Sequence, residues 1–431
     1  MKKDFIPAQR WIRVLPPIMI ACIVSYMDRV NISFSIAGGM LSSLDMTASM
    51  AGLAGGVFFV GYMLLQIPAG QISSFGNGKK FIAWSLVAWF FISVLTGLIT
   101  NRYELLALRF LLGVAEGGML PVMLSIISNW FPDHERGRAN AIMILFVPIA
   151  GMLTAPLSGS ILSFLDWRWL YIIEGCFCIP GLIYWLFAVD NRPSEAKWLS
   201  AEEKHYLIST IEKERAIHKL EDEHTNVSFS QVFKRDIFWK LIFINFFYQT
   251  GVYGYTLWLP SILKTLTHAS IENVGFLSTV PFIGMMIGMI LVSYLSDKTG
   301  RRRIFVVIPL AVFAFCLIMS VYCQHNVVVA YIFLVGCGVC LQAPAGVFWT
   351  IPTMAFPAEI AGGARGAINA LGNLGGFCGP FLVGYLIQHY TENSGILCLS
   401  GALVIATALV FTLPKTKRES GTVRLSESVS R

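Results

Sequence analysis

Charge is scarce in this sequence. Asp, Glu, Lys and Arg make up 13% of its 431 residues, against about 25% in an average soluble domain. With 55% hydrophobic residues, that scarcity excludes a disordered chain. It also excludes an ordinary cytosolic enzyme, whose core could not hide so much apolar surface. Lipid is the expected solvent. The sequence lacks a metal-ligand spacing, a nucleophile elbow and a P-loop, so neither an enzyme nor a bound metal or cofactor is expected. Eight of the nine cysteines lie inside apolar runs and Cys323 at the end of one. Cys337 and Cys340 form a CxxC, but no nearby Cys or His completes a metal shell, and packing is the better reading. The seven histidines all fall in loops or at run ends, which leaves carboxylates as better proton carriers within the membrane. The net charge of +7 is spread over many loops, so no nucleic-acid partner is expected.

What is present is a succession of long apolar runs: 13–36, 50–73, 81–99, 104–129, 138–164, 169–188, 237–262, 273–296, 303–322, 327–355, 364–388 and 394–413. Each approaches the roughly 20 residues that span a bilayer as a helix. The first contains Asp28 and Arg29 and is too long and polar for a signal peptide. The sequence therefore predicts an all-α membrane protein of twelve transmembrane helices in two pseudo-symmetric six-helix bundles, 1–188 and 237–413. The bundles are joined by a cytoplasmic linker at 189–236 and followed by a disordered cytoplasmic tail at 414–431. In the linker Ser200 and Glu203 form a capping box opening a solvated helix to about Lys219. Of the 32 basic residues, 27 fall in one alternating set of loops, in the run ends that adjoin them and at the two ends of the chain. The opposite loops hold only Arg102, Arg168 and Lys264, so both termini are expected in the cytoplasm.

The halves look related. Asn129-Trp-Phe-Pro132 ends the fourth run and Phe356-Pro357 the tenth, 225 residues apart. Gly78-Lys79-Lys80 after the second run corresponds to Gly300-Arg301-Arg302 after the eighth, offset by about 223. A repeated six-helix unit is the arrangement of transporters whose site lies between two halves.

Away from the first and last turns of the runs, five charges remain: Asp28, Arg29, Arg109, Glu116 and Glu174. Each costs about 2.5–3.5 kcal/mol at mid-bilayer on insertion scales, so each needs a partner or a watery cavity. All five are in the first half, which favours one coupling site over scattered structural pairs; for Glu174 structural bonding is expected. Arg109 and Glu116, seven apart, share nearly one helical stripe. Asp28 and Arg29 are neighbours and point in different directions. A substrate anion competing with the carboxylates for arginine would leave them to take up protons, so Asp28 and Glu116 are the candidate proton carriers. Tyr26 and Tyr62 are candidate cavity walls from the first half. The second half offers Gln249, Tyr253, Tyr255, Trp258, Gln342, Trp349, Asn369 and Asn373. The last two, four apart, share a face that offers amide donors and acceptors.

The loop Asp297-Lys298-Thr-Gly300-Arg301-Arg302 resembles the loop signature of the major facilitator superfamily. Tyr26-Met-Asp28-Arg29-Val-Asn31, Arg109-Phe-Leu-Leu-Gly-Val-Ala-Glu116-Gly-Gly, Trp169-Leu-Tyr-Ile-Ile-Glu174-Gly, the Pro193 to Glu203 joint and Gly346-Val-Phe-Trp349-Thr-Ile-Pro352 resemble its anion:cation symporter family. The Phe-Trp-Thr-Ile-Pro run is similar to the tartrate, rhamnonate and hydroxyphenylacetate branch. The resemblance implies a bacterial inner-membrane symporter that imports a small organic anion, such as a sugar acid, with protons by alternating access. It gives Asp28 and Glu116 the proton, puts Arg29 with the substrate or the coupling network, and makes Arg109 a partner controlling access. Tyr62, Trp349 and Asn369 match positions facing the cavity. Two positions depart from the family pattern: Ser74 replaces an acid after the second run, and Val147-Pro148 stands where sugar-acid members often carry an amide. A monomer is expected. Organic-anion exchange or export without protons, and a sensor that binds without transporting, remain as alternatives.

Overall fold

The computed structural model describes residues 9–72, 77–222, 229–356 and 358–414. Ser74 and the tail from Lys415 lie outside the described residues. The described chain is helical, and eleven helices are long and apolar enough to cross a membrane. They are α1 (Gln9–Ser43), α2 (Ala48–Gln66), α3 (Gly78–Leu98), α4 (Arg102–Trp130), α5 (Asp133–Phe164) and α6 (Trp167–Ala188), then α9 to α13 after two further helices. Those two are the linker helix α7 (Ala201–Asp222) and α8 (Asp236–Thr267). The remaining five are α9 (Ile271–Thr299), α10 (Ile304–Tyr322), α11 (Val327–Ala355), α12 (Gly362–His389) and α13 (Asn393–Phe411). α8 covers the expected seventh run and, at 32 residues, is about 48 Å long at 1.5 Å per residue. Asn245, Gln249, Thr250 and four tyrosines and threonines around them make it more polar than the eleven.

Local chemistry starts and stops these helices. The Asn101 side chain accepts the Tyr103 and Glu104 N–H groups at 3.0 Å, and Glu104 returns to the Asn101 N–H at 3.4 Å. This reciprocal cap opens α4. α9 ends at Gly300, whose φ of 69° suits a residue without a Cβ. The Gly300 N–H reaches the Ser296 carbonyl at 2.8 Å, and Arg302 folds back onto the Ser296 hydroxyl at 3.0 Å and onto Asp297. The basic loop signature is therefore a C-cap with an arginine clamp.

Contacts divide the chain into two compact units. Unit 1 is Met1–Asn31, Val60–Thr154 and Leu165–Asn226; unit 2 is Ile32–Phe59, Ala155–Phe164 and Val227–Arg431. Two short pieces, 32–59 and 155–164, thus group with unit 2 and not with their sequence neighbours. Small residues explain it, because they let backbones touch. A Cβ at Gly52 would lie 2.3 Å from the Pro380 carbonyl oxygen, and one at Gly275 would lie 2.6 Å from that of Ala155.

In unit 1 the linker helix is docked, which differs from the solvated helix expected. Ser200 accepts the Glu203 N–H at 3.2 Å, half of the anticipated box. The Glu203 carboxylate, fully buried, turns away to Arg10 and to the Gln9 N–H. Arg10 also holds Glu135 at 2.7 Å, while Trp130 and Trp198 stack at 5.3 Å. On the same unit Asn191 accepts the Lys79 N–H at 2.8 Å, and Asp190 lies 4.0 Å from the Lys79 ammonium. Residues after α6 therefore fasten the start of α3.

Candidate functional site

In unit 1 the site grows from one turn of α1. Ser25 and Arg29 are four residues apart and share a face, and both reach Glu116 of α4. The Ser25 hydroxyl donates to Glu116 Oε2 at 2.9 Å, and Arg29 Nε donates to the same oxygen at 2.7 Å. Asp28, on the adjacent face, accepts from the Ser93 hydroxyl of α3 at 2.9 Å and from Asn31 Nδ2 at 3.3 Å. Arg109, two turns before Glu116, donates to the Asp28 carbonyl oxygen at 2.9 Å. Asp28, Arg109 and Glu116 are 2%, 3% and 0% exposed.

Aromatic rings close over the arginine. The Arg29 guanidinium carbon lies 4.6 Å from the Tyr62 ring centre and 5.8 Å from that of Tyr26. Both are within the roughly 6 Å reach of a cation–π attraction. Tyr62 arrives there because Gly117 has no side chain: a Cβ would sit 2.2 Å from the Tyr62 carbonyl oxygen. Tyr26 packs edge-on against Phe146 at 5.8 Å.

The hydrogen-bonding capacity is incompletely used. Glu116 Oε1 and Asp28 Oδ2 are buried with no hydrogen-bond partner among the described residues. A buried carboxylate oxygen without a donor is costly, and a proton or a conformational partner would remove that cost. Glu174 is also buried.

Unit 2 carries neutral chemistry. Gln249 Nε2 of α8 donates to Asn373 Oδ1 at 3.0 Å, and Asn373 Nδ2 donates to Asn369 Oδ1 at 3.2 Å. This makes a chain of three amides along α8 and α12. Tyr253 packs on Phe59 at 4.2 Å. Trp349 sits between two short helical pieces of α11, Ala345–Phe348 and Thr350–Ala355, with Arg365 5.9 Å from its ring. Tyr255 and Trp258 are committed elsewhere: the Tyr255 hydroxyl donates to the Leu334 carbonyl at 2.8 Å and the Trp258 ring to that of Pro380 at 3.2 Å. Gln342 accepts from Tyr248 at 3.2 Å.

The anticipated charges Asp28, Arg29, Arg109 and Glu116 thus gather in unit 1 with Tyr26 and Tyr62, while Gln249, Asn369 and Asn373 form a separate group in unit 2. Ser25 and Ser93 were not anticipated. The one signal was position: Ser25 precedes Arg29 by one helical turn, and Ser93 interrupts an apolar run.

A family model of the Major Facilitator Superfamily matches residues 18–272 and 261–430. The chain belongs to this superfamily. It is 31% identical over 420 residues to a putative tartrate transporter of Agrobacterium vitis, covering 95% of each chain. It is 30% identical over 411 residues to a quinolone resistance transporter of Acinetobacter baumannii, covering 93% of this chain and 92% of that one. Among solved structures, a D-xylose-proton symporter superposes with a TM-score of 0.73 over 95% of this chain and 99% of that one, at 15% identity. That likeness shows the major facilitator fold. The protein is therefore a multi-pass membrane transporter and not an enzyme, and its tartrate-transporter relatives accord with the anion:cation symporter resemblance.

Proposed function

We propose that this transporter imports a small organic anion, a sugar acid or related carboxylate, together with protons by alternating access. The observation that carries the reading is the buried cluster in unit 1, where two carboxylates capable of changing charge lie with two arginines. Arg29 pairs with Glu116, and a substrate carboxylate arriving at Arg29 competes for the same guanidinium. Glu116, losing its partner in an apolar site, then takes up a proton, because an uncompensated buried charge is the costlier state. Asp28 carries a second proton site, fixed by Ser93, and Arg109 ties the backbone at Asp28 to α4. Tyr26 and Tyr62 shape the anion's side of the cavity; Gln249, Tyr253, Trp349, Asn369 and Asn373 supply amides and rings for its hydroxylated body.

In this reading α8 is the seventh of twelve spans, and the chain forms two six-helix halves, 1–188 and 237–413. Both termini and the linker face the cytoplasm of a bacterial inner membrane, an orientation that the distribution of basic residues supports. The tartrate-transporter relative supports an organic anion. The quinolone-resistance relative favours a second reading, export without proton-driven uptake.

Proteoliposomes separate them. Adding tartrate, an aldonate or a dicarboxylate outside is expected to raise external pH in step with uptake, because protons enter with the anion. Uptake of the anion with no proton movement would leave exchange or export. Thermal stabilisation by an anion without flux would leave a sensor.

A further inference from the structure

Lys264 has no place in the site described above. It lies near the end of α8, which closes at His268 with a φ of 50° and a bond from the His268 N–H to the Lys264 carbonyl at 3.0 Å. Its ammonium donates to the Ala37 carbonyl oxygen at 2.7 Å. Among the described residues no carboxylate pairs with it.

The acceptor sits at a break. The end of α1 widens into a turn over Ile36–Met40, and Gly39 within it has a φ of 103°, which interrupts the regular backbone ladder. The same segment of unit 2 lies against α12 through contacts without charge. Gly52 meets the Pro380 backbone, and Gly384 comes so close to Ala48 that a Cβ would lie 2.3 Å from its carbonyl oxygen. The Ser49 N–H reaches Gln388 at 3.3 Å, an exposed bond. Close packing of this kind parts readily once separated, so a charge-assisted bond across it is the contact that sets how often it opens.

We propose that Lys264 is a latch on the outer face. Its ammonium holds the turn at Ala37 to the end of α8 while that face is closed, and must let go whenever the face opens. The role rests on the transport reading and on the proposed orientation, which places this end outside. The latch itself is a contact within unit 2 and can be tested without transport.

The experiment compares wild type, Lys264→Arg and Lys264→Met in nanodiscs by hydrogen exchange, with external anion uptake as a second measurement. Losing one charge-assisted bond is expected to speed exchange in peptide 36–46 about ten-fold in Lys264→Met, with Arg preserving the wild-type rate and peptide 102–117 unmoved. The outward-open fraction rises by the same factor, so the apparent KM for external anion falls by up to about ten-fold at similar kcat. Impaired folding would lower the maximal rate and leave KM alone. Exchange in 36–46 within about two-fold of wild type overturns the latch, as does a KM that stays put or rises. Absence of uptake in wild type would sink the symport reading, and the exchange result would still decide the latch.

Discussion

Inside unit 1 the polar groups at the centre of the site are charged: Asp28, Arg29, Arg109 and Glu116 lie on α1 and α4, with Asp28, Arg109 and Glu116 buried and the Arg29 side chain 12% exposed. The group singled out in unit 2 is neutral: Gln249, Asn373 and Asn369 pass one hydrogen bond to the next. The difference is one of capability. A carboxylate against a guanidinium has two charge states and can exchange a proton for a partner. An amide chain has one charge state, so it can orient a ligand and discriminate among ligands but cannot store energy from a proton gradient. In the proposed function unit 1 is therefore the coupling side and unit 2 the recognition side.

The largest expected effect falls on the coupling side. Glu116→Gln keeps the Ser25 contact and the shape of the side chain but fixes its charge, and Asp28→Asn does the same opposite Ser93. Either variant is expected to lose pH-driven accumulation altogether while still exchanging labelled for unlabelled anion across the membrane. Measured in proteoliposomes, accumulation against a gradient in either variant would remove that carboxylate from the coupling role.

Arginine substitutions sharpen the comparison within unit 1 itself, because the unit holds two buried ion networks of different kinds. Arg29→Met strands Glu116, and Arg10→Met strands Glu203, which is also fully buried. Breaking a buried pair from one side costs about 3–5 kcal/mol, so both proteins are expected to melt earlier. Their transport should differ. Per folded molecule, Arg10→Met keeps its uptake rate and its proton-to-anion ratio, since Arg10 holds the docked linker helix and Glu135. Arg29→Met loses uptake. Equal losses of rate after correction for folded protein would mean that the linker clamp and the membrane cluster act as one network.

How much of this was legible in the sequence follows from the same contrast. Charges in apolar runs stand out, so Asp28, Arg29, Arg109 and Glu116 were readable one by one. Their pairing was not. Arg109 and Glu116 share a stripe but are about 10 Å apart along it, and only the packing of α1 on α4 shows that Glu116 belongs to Arg29. Ser25 and Ser93 are neutral and small, so nothing in composition marks them. Glu203 misled for a related reason: Ser200 and Glu203 have the spacing of a local cap, but Arg10, 193 residues away, takes the carboxylate. α8 was legible as a helix, yet its amides and tyrosines make it the most polar of the expected spans.

The smallest effect belongs to unit 2 and tests whether the recognition side is passive toward protons. Asn373 is 4% exposed and holds Gln249 and Asn369 at once, so it orients their amides more than it offers its own. Asn373→Leu removes both bonds at about 1 kcal/mol each. Some of that is recovered by burying an apolar side chain, and KM is expected to rise by about three- to ten-fold, since each 1.4 kcal/mol is ten-fold in affinity. The rise should be greater for hydroxylated acids than for their deoxy counterparts, because only the former need oriented amides. The pH dependence and the proton-to-anion ratio should stay at wild-type values. A shifted pH profile in Asn373→Leu would show that the amide chain is coupled to the carboxylates after all, and that charge and recognition are not separate within this fold.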